Sequence, residues 1–399
     1  MSKGNSLMTA TSKILLFTLN VSLLIGICTS RSYSQTTHYV ITNDDNPLGN
    51  TATFFSFESN GALAQQSIVN TGGFGSGNGY FAAAHVTVAR TASGCIYVSN
   101  AGSVPGSVSG IVESTMALAG TFGGSSNDTG GSLGIGLAVG NKALYAAFTG
   151  SGTIGVFRLH PDCTLTLKQD VAALGLIGGS VDGMKVHGNI LVVAYGDGSV
   201  SSFNILTGIP ISNNDLQQTS GFLQYQGLPA GVDISSDGHW AIFGDASKTS
   251  RSALVEVADI SSGKIGVITP YLLGTGLNSN NVWLSPDNTL LYVSNNYSGQ
   301  ITGAFFNRTT GGIGTMCISP VLKNFGFTWV FGTGISTAIT SGTGQVIYVG
   351  EWGNPSGIGI VNVSSNGSSC TLTESASSPV SDPQSGALSS ISVFPPRKF

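Results

Sequence analysis

The segment "SPDNTLLYVSNNYSGQITGAFFNRTTGGIG", residues 285–314, decides the fold. It contains a turn, a strand, a loop, a second strand and a glycine-rich turn. Its strands are rich in Leu, Val, Tyr, Ile and Phe, while Asn, Asp, Ser and Gly mark the turns. The same order returns along the chain, and a recurring unit of this kind usually sets the whole architecture. The segment therefore predicts a repeat protein built from β-sheets.

Six complete units follow one another. They begin at His85, Gly136, Gly183, Gly231, Asn281 and Ser336. Each unit has a short apolar strand, a Gly, Asp or Asn turn, a strand ending like "YVSN", an alternating strand and a last strand. Roughly 50 residues and four strands per unit describe the blade of a β-propeller. Almost no helical periodicity interrupts them.

A seventh unit is divided between the two ends of the chain. "HYVITNDDN" from His38 begins at a second strand and lacks the first, whereas Leu388–Phe394 has the first-strand pattern and no partners nearby. Pairing these segments would close a ring and remove exposed sheet edges. We therefore predict an all-β, seven-bladed β-propeller of four-stranded antiparallel blades, closed by the C-terminal strand after a connection at Ser377–Ser385. A parallel β-helix is disfavoured, because its coils are shorter and need no complementary half-repeat.

The first 34 residues differ from the repeats. Lys3 and Lys13 precede the apolar run Ile14–Ile27, and small residues follow, which is the pattern of a secretory signal peptide. No later apolar run reaches the 18 or so residues of a membrane span. We expect residues 1–34 to be removed and residues 35–399 to form one exported, periplasmic or extracellular propeller domain. Cys28 leaves lipid anchoring open, although bulky Ile27 precedes it.

The charge content excludes several classes of partner and site. Only 9% of residues are charged, and removal of residues 1–34 takes away three basic residues and no acid, changing the formal net charge from −4 to −7. Nucleic acid is excluded as a partner, because phosphate binding needs a basic patch. Histidines 38, 160, 187 and 239 are scattered without metal-ligand spacing, so we expect no dedicated metal site and no cofactor.

The cysteines Cys95, Cys163, Cys317 and Cys370 remain after export, an even number in an oxidising compartment. Two disulfides or four buried thiols are both compatible with the sequence. If bridges form, we expect Cys95 to pair with Cys163 and Cys317 with Cys370, because each pair then joins neighbouring repeats.

The "SPDNTLLYVSN" phrase and its relatives resemble the YVTN-repeat propellers and the lactonase family, which includes bacterial 6-phosphogluconolactonase and the muconate cycloisomerases. The resemblance is strongest from Asn281 to Phe305. It implies a ligand site with His, Arg and Glu at the mouth of the axial channel. His85 matches the family position, but "LPAGV" at Leu228–Val232 replaces a Pro-Arg-His pattern and Asn296 replaces a frequent Arg.

Alignment of the repeats places one residue of each blade at the end of its second strand, around this mouth. These residues are Asn43, Asn100, Phe148, Tyr195, Asp245, Asn295 and Glu351. The first strands begin nearby, and ligands usually bind at such a mouth. The candidate catalytic residues are His85 and Glu351 as bases and Arg251 as the cation that holds an acidic substrate. The candidate ligand-binding residues are Asp245, Lys248, Asn281, Asn295, Asn296 and Trp352.

Two functions are compatible with this pattern. The first is a binding or interaction module of the cell envelope or exterior, whose partner at the channel mouth is a small molecule, a glycan or an envelope protein. The second is a lactone hydrolase or cycloisomerase acting on a sugar or acidic lactone. The low charge and the missing family cations favour the first, whereas His85 and the whole-chain resemblance favour the second.

Overall fold

Short antiparallel strands make up nearly all regular structure in the computed structural model of the chain. It describes residues 38–58, 60–77, 86–89, 94–130, 134–140, 142–205, 211–212, 217–218, 231–246, 252–277, 279–295, 298–323, 335–339, 345–351, 356–385, 388 and 390–394. These residues belong to one unit, His38–Phe399. Within them, the only helical element is a single 3₁₀ turn at Glu113–Thr115.

The strands of the first four blades in chain order follow the repeats of the sequence. The first blade contains β4 (Val86–Ala89), β5 (Cys95–Asn100), β6 (Ser107–Val112) and β7 (Ala117–Gly123). The second contains β8 (Ile135–Val139), β9 (Ala143–Phe148), β10 (Thr153–Leu159) and β11 (Leu165–Ala172). The third contains β12 (Val181–His187), β13 (Ile190–Tyr195), β14 (Ser199–Asn204), β15 (Ile211–Ser212) and β16 (Gln217–Gln218). The fourth contains β17 (Val232–Ile234), β18 (Trp240–Ala246), β19 (Ser252–Asp259) and β20 (Ile268–Leu277).

Three further blades complete the ring. The fifth contains β21 (Ser279–Leu284), β22 (Leu290–Asn295), β23 (Gln300–Asn307) and β24 (Gly312–Ile318). The sixth contains β25 (Ile335–Ile339), β26 (Gln345–Glu351), β27 (Gly357–Ser365), β28 (Cys370–Glu374) and β29 (Val380–Ser381). The seventh contains β30 (Ile391–Phe394), β1 (Tyr39–Thr42), β2 (Thr51–Phe57) and β3 (Leu63–Asn70). The predicted seven-bladed propeller is therefore confirmed.

The ring is closed as predicted. The C-terminal strand β30 pairs antiparallel with β1, with Val40 opposite Val393, and lies innermost in its sheet. The innermost strands β4, β8, β12, β17, β21, β25 and β30 each contact the next around the axis, and β30 contacts β4. The strand begins at Ile391 rather than at Leu388. The predicted connection also contains the short strand β29, which pairs with β27.

The tyrosine of the repeated "YV" phrase packs its own blade against the blade that follows in the chain. Tyr97, Tyr145, Tyr292 and Tyr348 occupy matching positions of four second strands and are buried. Each packs into an apolar cluster shared with the following blade. The Tyr348 hydroxyl donates to the Gly61 carbonyl oxygen of the seventh blade at 3.0 Å. Burial of large aromatic area is the main stabilising contribution expected at such a contact.

Both expected disulfides are present. Cys95 bonds to Cys163, joining the first and second blades, and Cys317 bonds to Cys370, joining the fifth and sixth. The alternative of four free thiols is therefore wrong. Each bridge crosses a blade boundary, where no backbone ladder connects the two sheets.

Candidate functional site

The two faces of the ring are built from different connections. The upper face carries the loops between second and third strands and the connections between blades, so it contains the ends of the second strands and the starts of the first strands. The lower face carries the turns between first and second strands and between third and fourth strands. The predicted site lies on the upper face, around the axis.

Three of the predicted ligand-binding residues come together at the junction of the fourth and fifth blades. Asp245 lies near the end of β18, and its carbonyl oxygen accepts a hydrogen bond from the Ser279 hydroxyl at the start of β21. Ser279 in turn pairs with Asn295 across the sheet. The Asn281 N–H donates to the Ser294 hydroxyl at 3.0 Å. Asp245, Asn281 and Asn295 therefore share one part of the mouth.

A β-bulge shapes this junction. The register between β21 and β22 shifts between Ser279 and Val282, so that Asn280 and Asn281 of the inner strand both lie opposite Ser294 and one extra residue is accommodated. Asn280 is buried, and its Nδ2 has no hydrogen-bond partner among the described residues. Bulges often re-aim side chains beside active sites. Sequence analysis missed Asn280, although the run of polar residues directly before "VWL" was a signal for it.

The third blade has a matching bulge. Its inner strand β12 shifts register between Val181 and Gly183, and the Oδ2 atom of the buried Asp182 has no hydrogen-bond partner in the part of the chain that the structure describes. Burial, and then the negative charge of Asp197, raise the pKa of Asp182 well above its usual value. Sequence analysis also missed this residue. A raised pKa favours the protonated carboxyl, which is the form that can donate a hydrogen bond to a ligand or a neighbouring acceptor.

The pKa of Asp197, whose negative charge acts on Asp182, is shifted in the opposite direction. Burial would raise its pKa, but hydrogen bonds from the Ser199 hydroxyl and from the N–H groups of Ile177, Ser199 and Gly179 outweigh burial and hold the pKa below its usual value. The pKa values of the two carboxyls are therefore shifted in opposite directions, that of Asp182 upward and that of Asp197 downward.

The polar residues at the second-strand ends are embedded in the ring. Glu351 is 0% and Asp245 6% exposed. A Cβ atom on Gly359 would lie only 2.1 Å from Glu351 Oε1, so the Glu351 carboxylate lies directly over the glycine of the neighbouring strand. The Asn295 amide donates to the Thr302 hydroxyl at 2.9 Å. These side chains brace adjacent strands and loops.

The remaining predicted residues, His85, Lys248, Arg251, Asn296 and Trp352, lie outside the described residues. The prediction that His85, Arg251 and Glu351 act together at the channel mouth therefore stays a prediction. Glu351 belongs to the sixth blade, and Asp245, Asn281 and Asn295 belong to the fourth and fifth.

An ion pair in the channel wall connects three inner strands. Lys185 Nζ lies 3.2 Å from Asp233 Oδ1 and 4.4 Å from the centre of the Trp283 ring. Asp233 is buried and also accepts the Leu284 N–H at 2.8 Å. Asp233 therefore neutralises the positive charge of Lys185, and the contacts of Lys185 hold the third, fourth and fifth blades together.

Two buried aspartates meet where the ring closes. Asp44 follows β1, and its carboxylate accepts hydrogen bonds from the hydroxyls of Thr42, Thr51 and Thr53 at 2.5–2.8 Å. Asp382 follows β29 and donates its N–H to the Ser356 carbonyl at 3.1 Å. Burial, and then the charge of Asp382, raise the pKa of Asp44 from 3.8 to about 8, and burial raises the pKa of Asp382.

Apolar side chains are concentrated on the upper face. Leu48, Phe74 and Val104 are 91%, 52% and 85% exposed, and we call them the apolar rim. Their three loops are tied together: the Phe74 N–H donates to Ser103 Oγ at 3.0 Å, and the Gly75 N–H donates to the Asn46 carbonyl at 2.9 Å. The acids in the described part of these loops, Asp44 and Asp45, are buried, so they add no exposed carboxylate to the rim.

Neither a metal cluster nor a membrane-spanning helix is found in the described ranges. No group of three or more His, Cys, Asp or Glu side chains there is placed to hold a metal ion. Over the same part of the chain, no helix has the length and apolarity needed to cross a membrane.

Solved structures similar to this chain include three that are described as putative 6-phosphogluconolactonases or a gluconolactonase. A "putative 6-phosphogluconolactonase" from Bacteroides fragilis has a TM-score of 0.67 and 14% identity, covering 92% of this chain and 100% of its own. A second, from Bacteroides uniformis, has a TM-score of 0.66 and 13% identity, covering 90% and 99%. A periplasmic gluconolactonase from Pseudomonas aeruginosa has a TM-score of 0.55 and 17% identity, covering 71% and 82%.

Comparisons by sequence found no match. No protein-family model matches the chain, and no curated protein matches it. The expected resemblance to lactonase-type propellers is thus confirmed in the fold, at identities too low to transfer an activity.

Proposed function

We propose that this chain is an exported, lactonase-like propeller that binds a protein of the cell envelope or exterior through the upper face. The observation that carries the proposal is the distribution of exposed apolar residues. Among the described residues, eleven large apolar side chains are exposed, and seven of them lie in upper-face loops. Three others lie on outer strands, and Val267 alone lies in a lower-face turn.

An apolar surface without exposed charge is typical of a protein-binding patch. Large exposed apolar side chains that lie close together mark interaction sites, and partially exposed aromatic residues such as Phe74 commonly act as anchors. The cross-loop hydrogen bonds hold the apolar rim in one arrangement before binding, which lowers the entropic cost of association. The carboxylates of the channel mouth, by contrast, are embedded and serve the ring.

Export is supported by two independent features. The sequence of residues 1–34 has the pattern of a signal peptide. The two disulfides joining neighbouring blades are typical of proteins in an oxidising compartment.

Site-specific photo-crosslinking tests the binding proposal. A photoreactive amino acid is placed at Leu48 or Val104 in the chain expressed in its native cells, and crosslinked partners are identified by mass spectrometry. Val267 is the matched control, because it is as exposed as Val104 but lies on the opposite face. We expect one discrete envelope or secreted partner from positions 48 and 104 and none from position 267. Equal crosslinking from all three positions, or none from any, contradicts the proposal.

Lactone hydrolysis or cycloisomerisation is the second candidate. It is supported by the similarity to structures described as gluconolactonases and by the unpartnered polar atoms of Asp182 and Asn280 at the channel mouth. In this candidate His85 or Glu351 acts as base and Arg251 holds an acidic substrate. Titration at constant pH during turnover of a panel of sugar and acidic lactones tests it. Activity lost in His85→Ala supports the candidate, and silence across the panel rejects it.

A further inference from the structure

A polar cleft of about 480 Å³ opens on the lower face between the third and fourth blades, opposite the apolar rim. Its walls are three turns. The first joins β12 to β13 at Gly188 and Asn189, the second joins β17 to β18 around Gly238, and the third joins β19 to β20 at residues 261–264. The volume lies within the usual range of small-molecule sites.

The walls of this cleft are held in place from both blades. Gly238 has φ +73°, and a Cβ atom there would lie 2.5 Å from Cδ2 of the His187 ring, so only glycine lets the fourth blade approach that imidazole. The Ser202 hydroxyl of the third blade donates to the Gly263 carbonyl at 3.2 Å. The Ile205 N–H donates to the Asn189 carbonyl at 2.8 Å. The cleft is therefore formed before any ligand arrives.

The charge balance of the cleft favours an anion. Asp237 supplies the one carboxylate among the described lining residues. It lies 3.4 Å from Arg308 Nε and also accepts the Ser235 hydroxyl at 2.6 Å and the His239 N–H at 3.2 Å. Asp259, close by, accepts the Ser261 N–H at 2.8 Å and does not line the cleft. Lys264 lines it and makes no ion pair with any described residue. Its ammonium group is thus available to an anionic ligand.

The other polar groups of the lining suit hydroxyls. Asn189 presents an amide that donates and accepts, and His239 presents an imidazole ring. Among the described residues of the lining there is no Trp, Tyr or Phe to stack on a neutral sugar ring. A single ammonium group suits one carboxylate better than a multiply charged phosphate, for which clusters of cations are usual.

We propose that this cleft binds a small polyhydroxylated carboxylate, that is, a sugar acid. Its carboxylate pairs with Lys264, and its hydroxyls hydrogen-bond to the Asn189 amide and to the His239 imidazole. The site is separate from the upper face and does not depend on the function proposed there.

Isothermal titration calorimetry with D-glucuronate tests the proposal, with D-glucose as the neutral probe. For the wild-type chain we expect glucuronate to bind with a Kd of about 1 mM or tighter, and glucose to bind at least about tenfold more weakly. Lys264→Gln removes the charge and keeps most of the side chain, so glucuronate binding falls about tenfold. Lys168→Gln, at an exposed lysine on the outer strand of the second blade, is the control and leaves binding unchanged.

A second variant distinguishes a loss of binding from a loss of folding. Asn189→Ala removes an amide but leaves the backbone carbonyl that holds Ile205, and we expect it to weaken glucuronate binding several-fold while its thermal unfolding midpoint stays near that of the wild type. Absence of glucuronate binding, equal affinity for glucose, or unchanged binding in Lys264→Gln would each overturn the proposal. Leu48→Ser, on the apolar rim, retains glucuronate binding, which separates this site from the upper-face function.

Discussion

Replacement of Asp382 by Asn should change the pH dependence of stability, because Asp382 and Asp44 are buried together where the ring closes. The pKa of Asp44 lies at about 8 in the folded chain against an ordinary value of 3.8. The folded state therefore holds a proton that the unfolded state releases above about pH 4. The free energy of unfolding should then fall as pH rises from about 4 to about 8, by at most about 1.4 kcal/mol per pH unit.

Over that whole interval the loss reaches at most about 6 kcal/mol, a large fraction of the stability of a typical domain. In Asp382→Asn the neighbouring charge is gone, and the new amide can donate to the Asp44 carboxylate, which then ionises without a penalty from its neighbour. We expect the free energy of unfolding of the variant to fall less steeply between pH 5 and pH 8 than that of the wild type, because burial still raises the pKa of Asp44 but the charge of Asp382 no longer does.

Urea unfolding, followed by tryptophan fluorescence at pH values from 5 to 9, measures both curves. Asp259→Asn is the control, because it removes an exposed carboxyl whose pKa is lowered by its hydrogen bonds to Ser261. This control should keep the wild-type slope above pH 5. A wild-type curve without a slope between pH 5 and 8, or an Asp382→Asn curve parallel to it, would refute the reasoning.

Three further predictions concern the ring itself. Cys95→Ser with Cys163→Ser opens a loop of 68 residues and should lower the free energy of unfolding by about 4 kcal/mol in urea titrations, if loop entropy dominates. Gly231→Ala places a methyl group 2.7 Å from a backbone atom of the fifth blade and should lower the free energy of unfolding by about 1–3 kcal/mol in the same assay. Gly312→Ala is its control, because its nearest contact is a threonine hydroxyl at 3.1 Å, and it should lower the free energy of unfolding by less than about 1 kcal/mol. Deletion of residues 388–399 removes β30 and exposes the edge of β1. Thermal unfolding followed by circular dichroism should then lose its cooperativity, and size-exclusion chromatography should show aggregates. A monomeric protein with a sharp unfolding transition would contradict ring closure as a source of stability.

Much of the site was beyond the reach of sequence analysis. Alignment placed Asp245, Asn295 and Glu351 at the correct strand ends, yet their burial depends on how neighbouring blades cover them. Asp182 and Asn280 were missed because a bulge inserts them, and the register of a strand pair is visible only in the sheet. The Asp44 and Asp382 pair joins residues 338 positions apart in sequence, so no local pattern could reveal it.

The sequence alone determined the number of blades and the closing strand, because alternation, turn residues and the repeat are local properties that can be read in each unit separately. It left the cysteines as either two disulfides or four thiols, and only the structure decided for Cys95–Cys163 and Cys317–Cys370. The tertiary structure decided which polar groups are buried together, which carboxyls keep a proton, and where clefts and apolar surfaces lie. Those properties arise at contacts between blades, where side chains from distant repeats meet and the distance between them sets both solvation and charge interaction.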